Sequence, residues 1–357
     1  MYMFKYAKGK KQAKARTITL LLSITAVIFI SVASFVLSSC SPYVGSDKLK
    51  IVTTIFPPYD WVRVIAGDDA DIELTLLLDS RVDLHSYQPT AADIIATWEC
   101  DLFIYVGGTS DAWVEDVLAD AGDNLTAINL IKALGDNVVK EEIVEGMEDG
   151  HGHDDKDDGA GHGSDADSGT PSDHDDSEYD EHLWLSLKNA TVLCSVIADA
   201  LADIDPDNAS LYKANAAAYI SELEALDAAY KAAVDEAAHK TILVCDRFPL
   251  RYLAEDYDLD YHAAFPGCSA ETEASFETIV FLANKIDELS LPAVLIMDGS
   301  GKSLAETIIK SAKTSAGNIS ILTFNSMQNI DSKDIKNGIT YLDVMKSNLE
   351  VLKKALT

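Results

Sequence analysis

Short apolar runs recur along the chain: LKIVTTI (49–55), IELTLLL (72–78), DLFIYVG (101–107) and LTAINLI (125–131), then, after a long interval, TILVCD (241–246), AVLIMDG (293–299) and ISILTF (319–324). Runs of this length bounded by turn residues read as buried strands, and the segments between them carry helical patterning. Strands alternating with helices imply parallel sheets with helices on their faces. The runs fall into an earlier and a later group, so the pattern predicts an α/β fold of two lobes, each with a parallel-rich sheet flanked by helices. Between the groups lies the longest helical signal. Asp205-Pro206 offers a cap and a proline suited to a first turn. From Asn208 to His239 there is no Gly or Pro, and apolar residues recur at Leu211, Ala214, Ala218, Leu223, Leu226 and Tyr230. About 30 residues at 1.5 Å rise would give about 45 Å, a long rigid helix joining the lobes.

One apolar stretch does not belong to this pattern. ITLLLSITAVIFISVASFVL (18–37) follows Lys5, Lys8, Lys10, Lys11, Lys14 and Arg16 with no acid among the first 16 residues. A basic head and an apolar core are the signature of a secretory signal; an uncleaved membrane helix is the alternative, since about 20 residues span a bilayer. Leu37-Ser38-Ser39-Cys40 resembles the lipobox of bacterial lipoproteins. The resemblance implies cleavage before Cys40, a diacylglycerol on its thiol and stable anchoring on the extracytoplasmic face of the membrane once two or more acyl chains are attached. The expected boundaries are then a signal over 1–39, a lipid-anchored linker over 40–47, an N-terminal lobe over 48–205, the connecting helix over 206–239 and a C-terminal lobe over 240–357.

Charge narrows the partners. The chain has 28 basic and 59 acidic residues, a net charge of -31. Without the six basic residues of the signal, 22 basic residues remain against 59 acidic ones. Such a field repels nucleic acid and anionic lipid and concentrates cations, while most of the carboxylates serve solubility. Cys100, Cys194, Cys245 and Cys268 show no CxxC spacing, which argues against a zinc ribbon or a redox pair; a Cys245 to Cys268 bridge is conceivable outside the cell. Residues 141–181 hold 17 acids and four of the eight histidines, with hardly a hydrophobic side chain. They cannot bury enough surface to offset the entropy of ordering, so a disordered insertion is expected in the first lobe. His151, His153, His162 and His174 would gather weakly around an exchangeable transition metal. The alternative is an acidic spacer with incidental histidines.

A specific pocket needs ordered ligands. His85 in SRVDLHSYQPTAADI follows the second strand, and His182 in DEHLWLSLKNA stands where the acidic run stops; both fall in loops beyond element ends, where ligand sites gather in open α/β sheets. His239, at the close of the long helix, suits the helix dipole and reads as structural. HSYQPTAAD resembles the PHxYxPTxxD segment, and DEHLWLSLKNA the DPHxWLDPxNA segment, of the zinc and manganese substrate-binding lipoproteins that feed ABC importers. With the intervening His-rich run, the long helix and the C-terminal lobe, the resemblance extends from about Lys48 to Thr357. It implies a metal in the interlobe cleft, delivered to a membrane permease and, through it, an ATPase, by a monomeric carrier without catalysis. His85 and His182 match the first two ligand positions. The third falls on Asp246 and the fourth on Asn325, a departure from the acid common there, with His262, Glu271 and Glu273 as further candidates and His262 reading rather as a strand or cleft-edge residue.

Imidazoles with oxygen donors suit Zn2+, while Mn2+ prefers more oxygen. Affinity is expected to fall below about pH 6.5 as histidines protonate. A zinc hydrolase and a surface adhesin or metal buffer are the competing classes. DGSGKS (298–303) is no Walker loop, because Ile296 stands where that pattern needs glycine.

Overall fold

The computed structural model describes residues 48–122, 125–147, 179–269, 273–313 and 319–357. Cys40, His151, His153, His162, His174 and Glu271 lie outside the described residues. In the first lobe, β1 (Leu49–Thr53), β2 (Ile72–Leu76), β3 (Leu102–Tyr105) and β4 (Thr126–Asn129) form one parallel sheet in the order β2-β1-β3-β4. Its helices are α1 (Phe56–Ala66), α2 (Ala91–Trp98), α3 (Trp113–Ala119) and α4 (Leu130–Leu134). Every residue of β3 is buried, as a central strand covered on both faces requires. Pro57 and Pro58 open α1, where a missing N–H leaves no helical bond unmade.

Two helices then form a hairpin, α5 (Leu187–Ile204) and α6 (Ala209–Asp235), joined by a single turn at Pro206–Asn208. Ser186 caps α5 by accepting from the Asn189 N–H. The 27 residues of α6 give about 40 Å at 1.5 Å rise. Its buried stripe is Tyr212, Ala216, Tyr219, Leu223, Leu226, Tyr230 and Val234, spaced by threes and fours as one helix face demands. The face differs from the one expected in the first half of the helix, since Ala214 and Ala218 are exposed. Tyrosines set it instead, burying their rings while the Tyr212 hydroxyl reaches Asp205 and the Tyr230 hydroxyl donates to the Met345 carbonyl at 2.7 Å. The helix ends before His239, which therefore lies beyond its dipole and donates its N–H to the Leu356 carbonyl.

The second lobe repeats the first. Strands β5 (Thr241–Phe248), β6 (Asp260–Pro266), β7 (Ala293–Met297) and β8 (Ser320–Phe324) are parallel in the order β6-β5-β7-β8. Around them lie α7 (Arg251–Tyr257), α8 (Phe276–Leu289), α9 (Ser303–Ser311), α10 (Ser332–Lys336) and α11 (Tyr341–Leu356). Strand β6, DYHAAFP, was missing from the sequence pattern: it is an edge strand whose first three residues are not buried, so its apolar signal is short. One apolar core runs from β1 and β3 through α5 and α6 to β5 and α11, and a second packs α8 and α9 on the other face of the second sheet. The lobes are thus fused along α6. In each sheet the strand order reverses beside its first strand, and the crevice for a ligand opens at the carboxyl ends there.

Candidate metal centre

Part of the run expected to be disordered between 141 and 181 lies among the described residues. Glu141–Met147 and Tyr179–Glu181 have defined places, with Lys140 bridged to Tyr179 and Gly146, at φ +91°, lying against the Phe281 ring. Asp180 and Glu181 are 1% and 2% exposed. Both flank the ligand candidates, so the acidic run enters and leaves at the site itself.

His85 stands in a short 3-10 turn (Leu84–Ser86) after β2, whose start is fixed by the Asp83 carboxylate accepting the His85 N–H at 2.9 Å. His182 precedes a second such turn (Leu183–Leu185). Its backbone N–H and its Nδ1 both meet Asp180 Oδ1, at 2.8 and 3.1 Å. His85 Nδ1 lies 2.8 Å from Ser110 Oγ, with Glu181 Oε2 at 3.4 Å. Partners of this kind hold the proton on Nδ1 and leave Nε2 as a lone pair for a metal. The two Nε2 atoms face each other at 3.3 Å. Nitrogens bound to one tetrahedral zinc at about 2.0–2.1 Å are about 3.3–3.4 Å apart. A cation between them relieves the opposition of two lone pairs.

Burial, then the facing His182, pushes His85 down from 6.5 to about 4. Between those two values the unfolded chain binds more protons than the folded one, so the metal-free protein holds its full share of stability above about pH 6.5 and loses it as pH falls toward 4. The same shift carries proton competition at this ring below the range anticipated from an ordinary histidine. The His85 ring of the metal-free protein should titrate near pH 4 by NMR; a midpoint near 6.5 would contradict its burial against His182. Burial also raises the Glu181 carboxyl, whose Oε1 accepts the Ser110 N–H at 2.9 Å while Oε2 is buried without a hydrogen-bond partner.

Asp246 does not join the histidines. Its Oδ1 accepts the Arg247 N–H at 2.8 Å and its Oδ2 the Met297 N–H at 3.1 Å, a strand-end carboxylate occupied by backbone donors. Asn325 does not join them either: its Oδ1 accepts the Met327 N–H at 2.8 Å and its own N–H goes to Asn348, closing a local turn. Glu273 is exposed. His262 is a β6 residue edge-on to Phe281, as a strand histidine would be. Among the described residues, the group that gathers metal-donor atoms is His85, His182 and Cys268, all within 4.8 Å of one another. Burial, then nearby carboxylates led by Asp180, raises the Cys268 thiol above its ordinary value. Cys245 and Cys268 are both free thiols, which removes the bridge considered from sequence.

Beside His182 lies a cavity of about 20 Å³ lined also by Arg247, Gly267, Asp298, Ser326 and Gln328, about the room one water or ion takes. Arg247 is paired with Asp83 at 2.6 Å. The Gln328 Nε2 is buried without a partner. Sequence reading missed Asp180, Glu181, Cys268 and Gln328. The first two had a signal, since a metal-bound imidazole is regularly held by a carboxylate on its other nitrogen and these stand next to His182.

The chain resembles known proteins over nearly its whole length. It is 30% identical over 329 residues to the zinc-binding lipoprotein AdcA of Streptococcus pneumoniae, covering 92% of this chain and 60% of that protein. It thus spans under two thirds of the AdcA length. With the high-affinity zinc uptake system protein ZnuA of Bacillus subtilis it shares 28% identity over 340 residues, 94% and 97% of the two chains. The crystal structure of the Zn(II)-bound ZnuA-like domain of Streptococcus pneumoniae AdcA superposes with a TM-score of 0.63 at 26% identity, covering 87% of this chain and 99% of that one. Residues 51–355 match the family model of ZnuA, zinc-uptake complex component A periplasmic, and the chain belongs to that family.

Proposed function

We propose that this protein is the extracytoplasmic binding component of a zinc ABC importer, taking Zn2+ between His85 and His182 and delivering it to a membrane permease driven by an ATPase. The observation that carries the reading is the pair of Nε2 atoms 3.3 Å apart, each with its Nδ1 tied to a neighbouring side chain. Relatives named for zinc binding and zinc uptake support the choice of metal and the transport role. On this reading the cleft binds and releases the ion without turnover, and a cavity of about 20 Å³ beside His182 supports it as room for an ion. Anchoring through a lipid on Cys40 would keep the carrier beside its permease. The acidic run with His151, His153, His162 and His174 collects metal loosely and passes it inward, since its two flanking segments touch the site through Glu141 and Asp180-Glu181.

The test is zinc uptake by cells lacking the protein, complemented with the natural chain or with His85→Ala. Restoration by the first and not the second is expected. Equal restoration by both would remove the cleft from transport, and uptake that never depended on the protein would favour a buffer or adhesin.

A further inference from the structure

The two expected oxygen ligands are engaged elsewhere, yet a third donor is present. We infer that Cys268 binds the transported zinc as a thiolate, completing a His85, His182 and Cys268 centre. This rests on the zinc-binding reading above and specifies its chemistry. In a tetrahedral site with Zn–S of about 2.3 Å and Zn–N of about 2.0–2.1 Å, sulfur and nitrogen are about 3.6 Å apart. The donor atoms here lie within 4.8 Å of one another, so a thiol movement on the order of 1 Å closes the triangle on the ion.

The backbone is built to bring that sulfur in. Strand β6 ends at Pro266, and Gly267 follows in contact with the second histidine: a Cβ on Gly267 would lie 3.3 Å from His182 Cε1 and 2.8 Å from the Phe248 carbonyl oxygen. Only glycine lets the chain pass this close. The next residue is Cys268, whose N–H is held by Glu141 Oε1 at 2.8 Å. Sheet order gives the position a counterpart, because β2 and β6 occupy the same place in the two lobes and His85 follows the first as Cys268 follows the second. Each lobe therefore presents a donor from the loop beyond its outer strand.

The chemistry is balanced simply: the thiol releases its proton to solvent as the S–Zn bond forms, and two neutral imidazoles with one thiolate leave a single positive charge beside Asp180 and Glu181. A soft sulfur donor favours zinc and disfavours manganese, which suits hard oxygen ligands. Sulfur thus supplies the metal selectivity that Asp246 would not.

X-ray absorption of the full-length protein carrying one equivalent of zinc decides the matter, and the unsubstituted protein alone suffices. One sulfur at about 2.3 Å is expected. Cys268→Ser should remove that shell and weaken zinc by more than about tenfold while weakening manganese less, and Asp246→Asn should leave the sulfur shell in place. A shell of nitrogen and oxygen alone, with zinc binding still lost in His85→Ala, would overturn the thiolate and leave the zinc carrier standing. Zinc binding indifferent to His85→Ala would overturn the carrier reading, and the thiolate ligand with it.

Discussion

His182→Ala should weaken zinc binding by more than about 100-fold, and Asp180→Ala by about 10–100-fold, the range set by losing an outer partner of a metal-bound imidazole. The ordering follows from the geometry. His182 supplies the Nε2 atom itself, 3.3 Å from that of His85, so truncation removes one donor outright. Asp180 supplies no donor to the ion. Its Oδ1 instead fixes the His182 ring through Nδ1 at 3.1 Å and the local backbone at 2.8 Å. Without it the ring rotates more freely and the basicity of Nε2 drops, while both nitrogens remain. Competition with a chromophoric chelator reads both values. Equal losses for the two variants would mean that Asp180 itself contacts the ion, and no loss for His182→Ala would place zinc elsewhere.

The second large effect concerns the packing that holds the site. Trp184 is fully buried two residues beyond His182, its ring 5.4 Å from that imidazole. Its Nε1 donates to the Ser326 carbonyl at 2.9 Å, and its own carbonyl accepts from the Tyr341 hydroxyl at 2.7 Å. Ser326 and Tyr341 belong to the second lobe, so this one residue sews the ligand turn to the loop after β8 and the start of α11. Truncating a buried tryptophan costs about 3–5 kcal/mol. Trp184→Ala should therefore lose about that much stability in urea unfolding, and Trp184→Phe, which keeps an aromatic ring but loses the Nε1 bond, about 1–2 kcal/mol. A change in Trp184→Ala within the scatter of surface substitutions would mean that the lobes are joined by α6 without help from this turn. Asp60 makes a parallel junction: it is buried, accepts the Tyr341 N–H at 2.7 Å and pairs with Arg63.

Sequence patterning captured the elements whose signal is local. The strands of the first sheet and β5, β7 and β8 of the second were visible as apolar runs, most plainly β3 and β7, which are buried along their whole length and have no alternation to lose. The length of α6 was visible from an uninterrupted stretch of helix formers. Only the second half of its buried face was, through Leu223, Leu226 and Tyr230; in the first half alanine suits either side of a helix, and Tyr212 and Tyr219 were not counted in the face. His85 and His182 stood out through their segments. Asp180 and Glu181 were hidden by the acidic composition upstream, although packing treats them differently: they are buried while much of that run falls outside the described residues. Asp246 reads as a ligand from its place near a strand's carboxyl end, whereas its backbone N–H partners, one on each oxygen, depend on β7 and carry no sequence signal. Cys268 was read as half of a possible disulfide, since its approach to two histidines depends on Gly267 and on a strand, β6, that the pattern did not disclose.

The most direct measurement is the zinc stoichiometry and affinity of the full chain beside a chain lacking residues 148–178. One tight equivalent should persist in both, with weaker equivalents present only in the full chain. Loss of the tight equivalent along with the acidic run would contradict a cleft built on His85 and His182, and would make the run itself the binding site.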